Sequence, residues 1–182
     1  MNTTDVLCLL IHGNQLKRIV RTGWLLRGIT DAENVAAHSY GTAFIALVMV
    51  EEIQEPLNLQ TVLAMTVLHD LPEGLTTDIP TPTWQLLPRG TKIDVERSAM
   101  ETLFEDLPFR KNLLAYWEEL QKNETAEARL VHDCDKLDMY LQALMYEQQT
   151  GNRQLGEFWE QDYNFEYVET KAIFDELASL RL

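Results

Sequence analysis

The spacing of apolar residues constrains this chain most. Leu130, Cys134, Leu137, Leu141 and Leu144 follow one another at increments of four, three, four and three, the period of one face of an α-helix. Helical periodicity dominates the rest of the sequence as well. Eight Gly and six Pro in 182 residues are few for an all-β domain, which needs many turns. The pattern predicts a first helix from Asp5 to Leu16 and a second from Asp31 or Asn34 to about Glu55, just before Pro56. Asn58 can cap a third, which ends at the pair His69-Asp70 near Pro72. Further helices are expected over Lys92–Glu105 and Phe109–Gln121, and a long one is capped by Asn123 or Thr125 and ends at Gly151. A last helix runs from Tyr163 or Val168 to Leu180. The stretch Ile79-Pro80-Thr81-Pro82-Thr83 is expected to be a loop, because prolines two apart interrupt regular helix. The fold class is all-α, a helical bundle whose most apolar and most central members are helices two and three.

The length predicts one domain over residues 1–182. A chain of this size buries roughly 70% of the surface its unfolded form exposes, so it needs no disulfides. Its two cysteines, Cys8 and Cys134, form neither a disulfide framework nor a zinc finger, and both are expected to be reduced and buried. The N-terminus lacks the basic start of a secretion signal. The longest apolar run, Ala43 to Val50, falls far short of the ~20 residues of a membrane span. A soluble, cytoplasmic protein is expected. Fifteen basic against 29 acidic residues give a net charge of −14. That charge opposes binding to nucleic-acid phosphates or to an anionic membrane. In the N-terminal third the basic residues are Lys17, Arg18, Arg21 and Arg27, and none occurs from Gly28 to Pro88. A small anion would be held by that cluster, by a metal ion, or by both.

Several polar residues sit where burial makes them costly. His38 precedes the apolar run, in a helix expected to be buried on most faces, and His69-Asp70 ends the run Val62 to Leu68. A lone buried His is most often a hydrogen-bonded core residue, and a His-Asp dipeptide alone proves nothing. Together, on the two most apolar helices, they fit a metal site, since one cation satisfies neutral imidazoles and ionised carboxylates at once. A fourth ligand should come from Arg129–Asp138. There His132-Asp133 repeats the His-Asp pair, but His132 points away from the apolar stripe, which centres near Leu141, and reads as a solvated surface residue. Asp133, Asp135 and Asp138 lie on the flanks of that stripe, and periodicity does not choose among them. Glu73, three residues after Asp70, and Asp78, before the proline loop, could position a water or pass a proton, or could equally cap a helix end and a turn.

The set His38, His69-Asp70 and a later Asp resembles the H…HD…D signature of the HD-domain metal-dependent phosphohydrolases. Leu16–Trp24, Glu33–Ser39, Leu68–Glu73, Thr77–Pro82 and Glu124–Tyr146 resemble its 5'-deoxynucleotidase branch, which holds bacterial deoxynucleoside monophosphatases and eukaryotic HD-domain-containing proteins. The likeness runs from about Leu16 to Phe174. It implies an HD-domain bundle with the metal site between central helices. His38, His69, Asp70 and Asp135 would ligate one divalent transition metal: Mn, Co, Fe or Zn. Asp135 is singled out because Asp135-Lys136-Leu137-Asp138 matches the branch's pattern. Glu73 would assist proton transfer and Asp78 would orient substrate or water. Trp24 would contact the nucleotide, and Asp78, Ile79, Pro80 and Thr81 its sugar. Where the bacterial enzymes carry a phosphate-orienting Arg before the Trp, this chain has Gly23, so Arg21 or Arg27 would take that part. The implied activity is hydrolysis of deoxyribonucleoside 5'-monophosphates by a homodimer. The rival readings are hydrolysis of a nucleotide tri- or tetraphosphate or cyclic dinucleotide, and a non-catalytic interaction protein stapled by a metal.

Overall fold

Short polar side chains set where the principal helices begin. The side chains of Asn34, Asn58 and Thr125 accept from the backbone N–H three residues on, at Ala37 (2.9 Å), Thr61 (3.1 Å) and Ala128 (3.3 Å). Each thereby meets one of the donors a helix start leaves unpaired. The computed structural model describes residues 2–181. Its helices are α1 (Thr3–Gln15), α2 (Thr22–Leu25), α3 (Val35–Glu52), α4 (Leu59–Leu68), α5 (Glu73–Thr76) and α6 (Thr81–Gln85). They continue with α7 (Thr91–Phe104), α8 (Arg110–Lys122), α9 (Ala126–Thr150), α10 (Gly156–Trp159) and α11 (Val168–Ser179). Among the described residues no strand forms, and a bridge between Val20 and Asn34 supplies the extended pairing. The fold is all-α, as the periodicity predicts.

Two apolar clusters join the middle of the bundle. Ala46 and Met49 of α3, Val62 and Met65 of α4, and Leu130 and Cys134 of α9 pack together. Leu68, Met100, Phe104 and Trp117 tie α4 to α7 and α8. A third cluster wraps Trp24 and Ile29 around Met139 and Tyr140 of α9. Burying a side chain of this size contributes about 1.5–3 kcal/mol, so these contacts hold the ends of α3, α4 and α9 in fixed register.

Several expectations are corrected. The long helix α9 is as central as α3 and α4, because it packs on α3, α4, α8 and α11. Burial on it is therefore not one stripe: Leu141 is 39% exposed, whereas Asp133 and Asp138 are buried. His132 is half-buried rather than solvated and bonds the Leu120 carbonyl at 3.0 Å. Asp133 accepts from the backbone N–H groups of Glu166 and Tyr167 and from the hydroxyls of Tyr163 and Thr170, so it fastens the segment before α11. Helix α3 is not buried on most faces, since Tyr40, Phe44, Leu47 and Val48 are exposed. The proline stretch is not all loop, because Pro82 lies in the first turn of α6, where no intrahelical donor is needed. Cys134 is buried but Cys8, on α1, is exposed, and both are free thiols. No described helix is long and apolar enough to cross a membrane.

Candidate metal centre and adjoining cleft

Three helices deliver two imidazoles and two carboxylates to one place. His38 lies in the first turn of α3 and is fully buried. His69 and Asp70 follow directly on the last turn of α4, and Asp135 projects from α9. His38 Nε2 is 3.0 Å from Asp135 Oδ1, 3.3 Å from His69 Nε2 and 3.6 Å from Asp70 Oδ2, and His69 Nε2 is 3.2 Å from Asp70 Oδ2. Ligands held at about 2.0–2.2 Å from a common ion stand about 3.0–3.5 Å from one another. The other nitrogen of each ring is engaged: His69 Nδ1 with the Thr66 carbonyl at 2.7 Å, and His38 Nδ1 with Asp138 Oδ2 at 2.7 Å. Each Nε2 is thus the ring atom that faces the carboxylates. Two imidazoles and two carboxylates form a mixed nitrogen–oxygen donor set that suits a divalent transition metal. These residues fit the group.

The charges agree with the geometry. Burial works to lower the His38 pKa, but hydrogen bonds to Asp135 and Asp138 prevail and push it up to about 10. His69 is likewise raised against burial, by Asp70. Burial alone would raise the two carboxylates. The charges of the histidines, acting directly and through hydrogen bonds, hold Asp70 and Asp135 below the usual range. The site therefore stabilises dense opposite charge and releases protons when a cation takes the imidazoles.

Glu73 opens α5 and is 9% exposed, and its Oε2 is buried with no hydrogen-bond partner. Burial, together with the charges of Asp70 and Asp78, pushes its pKa up to about 9, so it carries a proton at neutral pH. Asp78 accepts from Thr22 N–H, and its carbonyl accepts from Thr22 Oγ1 at 2.8 Å. That pair pins the turn before α6 to the start of α2.

A cleft of about 930 Å³, including space open to solvent, reaches the two carboxylates of the donor set. Arg21, Gly23, Trp24 and Arg27 line it, as do Asp70, Glu73, Asp135 and the run Asp78–Thr81. All the residues expected for substrate contact therefore meet in one place. Backbone bonds from Arg21 N to Glu33 O (3.0 Å) and Val35 N to Ile19 O (2.9 Å) hold Arg21 beside the start of α3. Its guanidinium lies 3.2 Å from Asp70 Oδ2. Arg27 instead pairs with Glu157 at 2.6 Å and sits over the Phe158 ring at 5.3 Å. Trp24 is 1% exposed, its Nε1–H donates to Glu33 at 3.0 Å, and its ring packs 4.2 Å from Phe158. It forms a fixed wall of the cleft.

The sequence reading missed Lys92, Lys136, Met139, Phe158 and Gln161, which also line the cleft. Lys92 and Lys136 add cations to a region where only the N-terminal arginines were expected. Nothing in the local sequence marks them: Lys92 reads as an ordinary helix-surface partner of Glu96, and the two do pair at 3.5 Å.

A helical bundle that gathers two His and two Asp, the two acids lining a cleft, defines an all-α protein with a site suited to a metal ion. The family model for the HD domain matches residues 13–178, and the chain belongs to that family. It is 37% identical over 135 residues to the 5'-deoxynucleotidase HDDC2 of Bos taurus and 35% identical over 135 residues to that of Homo sapiens. Each match covers 73% of this chain but only 63% and 64% of those proteins, respectively. The PH0347 protein of Pyrococcus horikoshii OT3 superposes with a TM-score of 0.78 at 34% identity, covering 94% of this chain and 96% of that one.

Proposed function

We propose that this chain is a single HD domain that hydrolyses deoxyribonucleoside 5'-monophosphates to deoxynucleoside and phosphate. The observation that carries the reading is the convergence of four donor groups, with His38 Nε2 3.0–3.6 Å from the other three, beside a cleft bordered by arginine and lysine. The names of the mammalian relatives support the substrate class. His38, His69, Asp70 and Asp135 would hold one divalent ion: Mn, Co, Fe or Zn. When bound, such an ion supplies positive charge for the phosphate and lowers the pKa of a water.

The chain's own residues then position and neutralise, which is most of what phosphoryl transfer asks of a protein. Arg21, beside Asp70, meets a phosphate oxygen, and Lys92 adds charge from α7. Arg27 is held by Glu157 nearer the Phe158 end. Glu73 carries the proton that the reaction moves. Asp78, anchored to α2, orients the substrate. The turn Asp78–Thr81 and the wall of Trp24 and Phe158 enclose sugar and base.

Nucleic acid and anionic membranes are not partners on this reading, since the net charge of −14 repels both. The protein works in the cytoplasm. The exposed stripe Tyr40, Phe44 and Leu47 on α3, with Tyr40 and Phe44 rings stacked at 6.4 Å, is the face on which two copies form a homodimer. The test is phosphate release from a panel of deoxynucleoside and ribonucleoside monophosphates, triphosphates and cyclic dinucleotides with Mn, Co, Fe, Zn and Mg. Release from deoxynucleoside monophosphates supports the proposal, and none with any metal overturns it.

A further inference from the structure

We propose that Asp138 is a positioning residue: its carboxylate, seated in a notch left open by Gly41, fixes the ring of His38 so that Nε2 faces the metal site. The proposal rests on the reading that this site holds a divalent ion. Asp138 lies one turn beyond Asp135 on α9, and Gly41 one turn beyond His38 on α3. The two helices therefore meet twice at the same level. Asp135 approaches His38 Nε2 on one edge of the ring (3.0 Å), and Asp138 takes Nδ1–H on the other (2.7 Å). Both His38 and Asp138 are buried, at 0% and 8% exposure, so water does not compete for either.

The notch is specific. A Cβ at Gly41 would stand 2.7 Å from Asp138 Cγ and closer still to Oδ1, so any other residue there displaces the carboxylate. Glycine within a helix is less favourable than alanine, and here its absent side chain is what admits the acid. An imidazole that gives Nε2 to a metal must keep its proton on Nδ1. A buried anionic acceptor at Nδ1 enforces that tautomer, fixes the ring plane and raises the basicity of Nε2. Glu33 also lies near His38, but its carboxylate accepts from Trp24 Nε1–H at 3.0 Å. Asp138 stands on the side of the ring away from the donor set, so it acts through His38.

The test measures Mn²⁺ affinity by competition with a chelating indicator, and thermal unfolding of chelator-treated protein, for wild type and four variants. Asp138→Ala is expected to weaken Mn²⁺ binding about 10–100-fold, the usual effect of removing such a partner. Gly41→Ala should weaken it similarly, because its methyl expels the carboxylate. Asp138→Asn keeps an acceptor oxygen and should fall between wild type and Asp138→Ala. The double variant Gly41→Ala/Asp138→Ala separates positioning from packing, since one methyl then occupies the space the carboxylate vacates. It should unfold at a higher temperature than either single variant and still bind Mn²⁺ weakly. Wild-type affinity in the double variant, or single variants that lose stability but keep affinity, would overturn the proposal. A wild-type protein that binds none of Mn²⁺, Co²⁺, Fe²⁺ and Zn²⁺ overturns the metal reading itself and the proposal with it.

Discussion

Replacing Glu73 by Gln tests the electrostatics of the site through stability alone. The Glu73 carboxyl moves from its usual 4.5 up to about 9 on folding, chiefly because it is buried. A carboxyl whose folded pKa is raised costs nothing below its unfolded pKa, where both states carry the proton. Above it, the unfolded chain ionises and the folded one does not, so stability falls as pH rises until the folded pKa is passed. Each pH unit in that window costs about 1.4 kcal/mol, which brings the penalty to the order of 3 kcal/mol at pH 7. Gln has the shape of the protonated acid and no titration. Its amide faces the same lack of a partner that Oε2 has, but that cost of about 1–3 kcal/mol does not vary with pH. The change with pH is therefore the clean readout. Urea unfolding of chelator-treated wild type and Glu73→Gln at pH 5 and pH 7 should show the variant gaining about 2.7 kcal/mol on wild type across that interval. A difference that stays flat, or that moves the other way, refutes the assignment of a protonated Glu73.

Other expectations follow from the same geometry. His69→Ala and Asp70→Ala should each abolish bound metal and turnover, whereas Glu73→Ala should keep the metal and lose rate, as read by elemental analysis beside phosphate release. Since the His38 pKa is pushed up to about 10, metal binding must displace its proton. Affinity for Mn²⁺ should therefore rise with pH, by up to about tenfold per unit for each proton released, and level off towards pH 10. Trp24→Ala removes a fully buried ring from the cleft wall and should cost about 3–5 kcal/mol of stability in urea titrations. Phe44→Glu on the exposed face of α3 should convert the proposed homodimer to monomer in sedimentation runs without loss of fold.

The sequence made much of this legible, for identifiable reasons. Helix starts were readable wherever a capping side chain precedes an apolar run, as at Asn34 and Asn58. The alternatives at Asn123 and Thr125 needed the structure: Thr125 caps α9, while Asn123 adopts a left-handed conformation (φ 54°) at the end of α8. His38, His69 and Asp70 stood out because polar groups on the most apolar helices call for compensation. The choice among Asp133, Asp135 and Asp138 was beyond periodicity, because α9 is packed on several sides. All three acids turn out to be engaged, with Asp133 holding the chain before α11, Asp135 at the imidazoles and Asp138 behind one of them. Lys92, Lys136 and Phe158 were invisible because their place in the cleft depends on how distant helices meet.

The most direct measurement is the metal content of purified protein after loading with Mn²⁺, Co²⁺ or Zn²⁺ and removal of excess, for wild type beside His69→Ala and Asp70→Ala. One ion per chain in wild type, and none in either variant, is the predicted result. Equal metal in all three, or none in wild type, would contradict the account of why these histidines and carboxylates stand together.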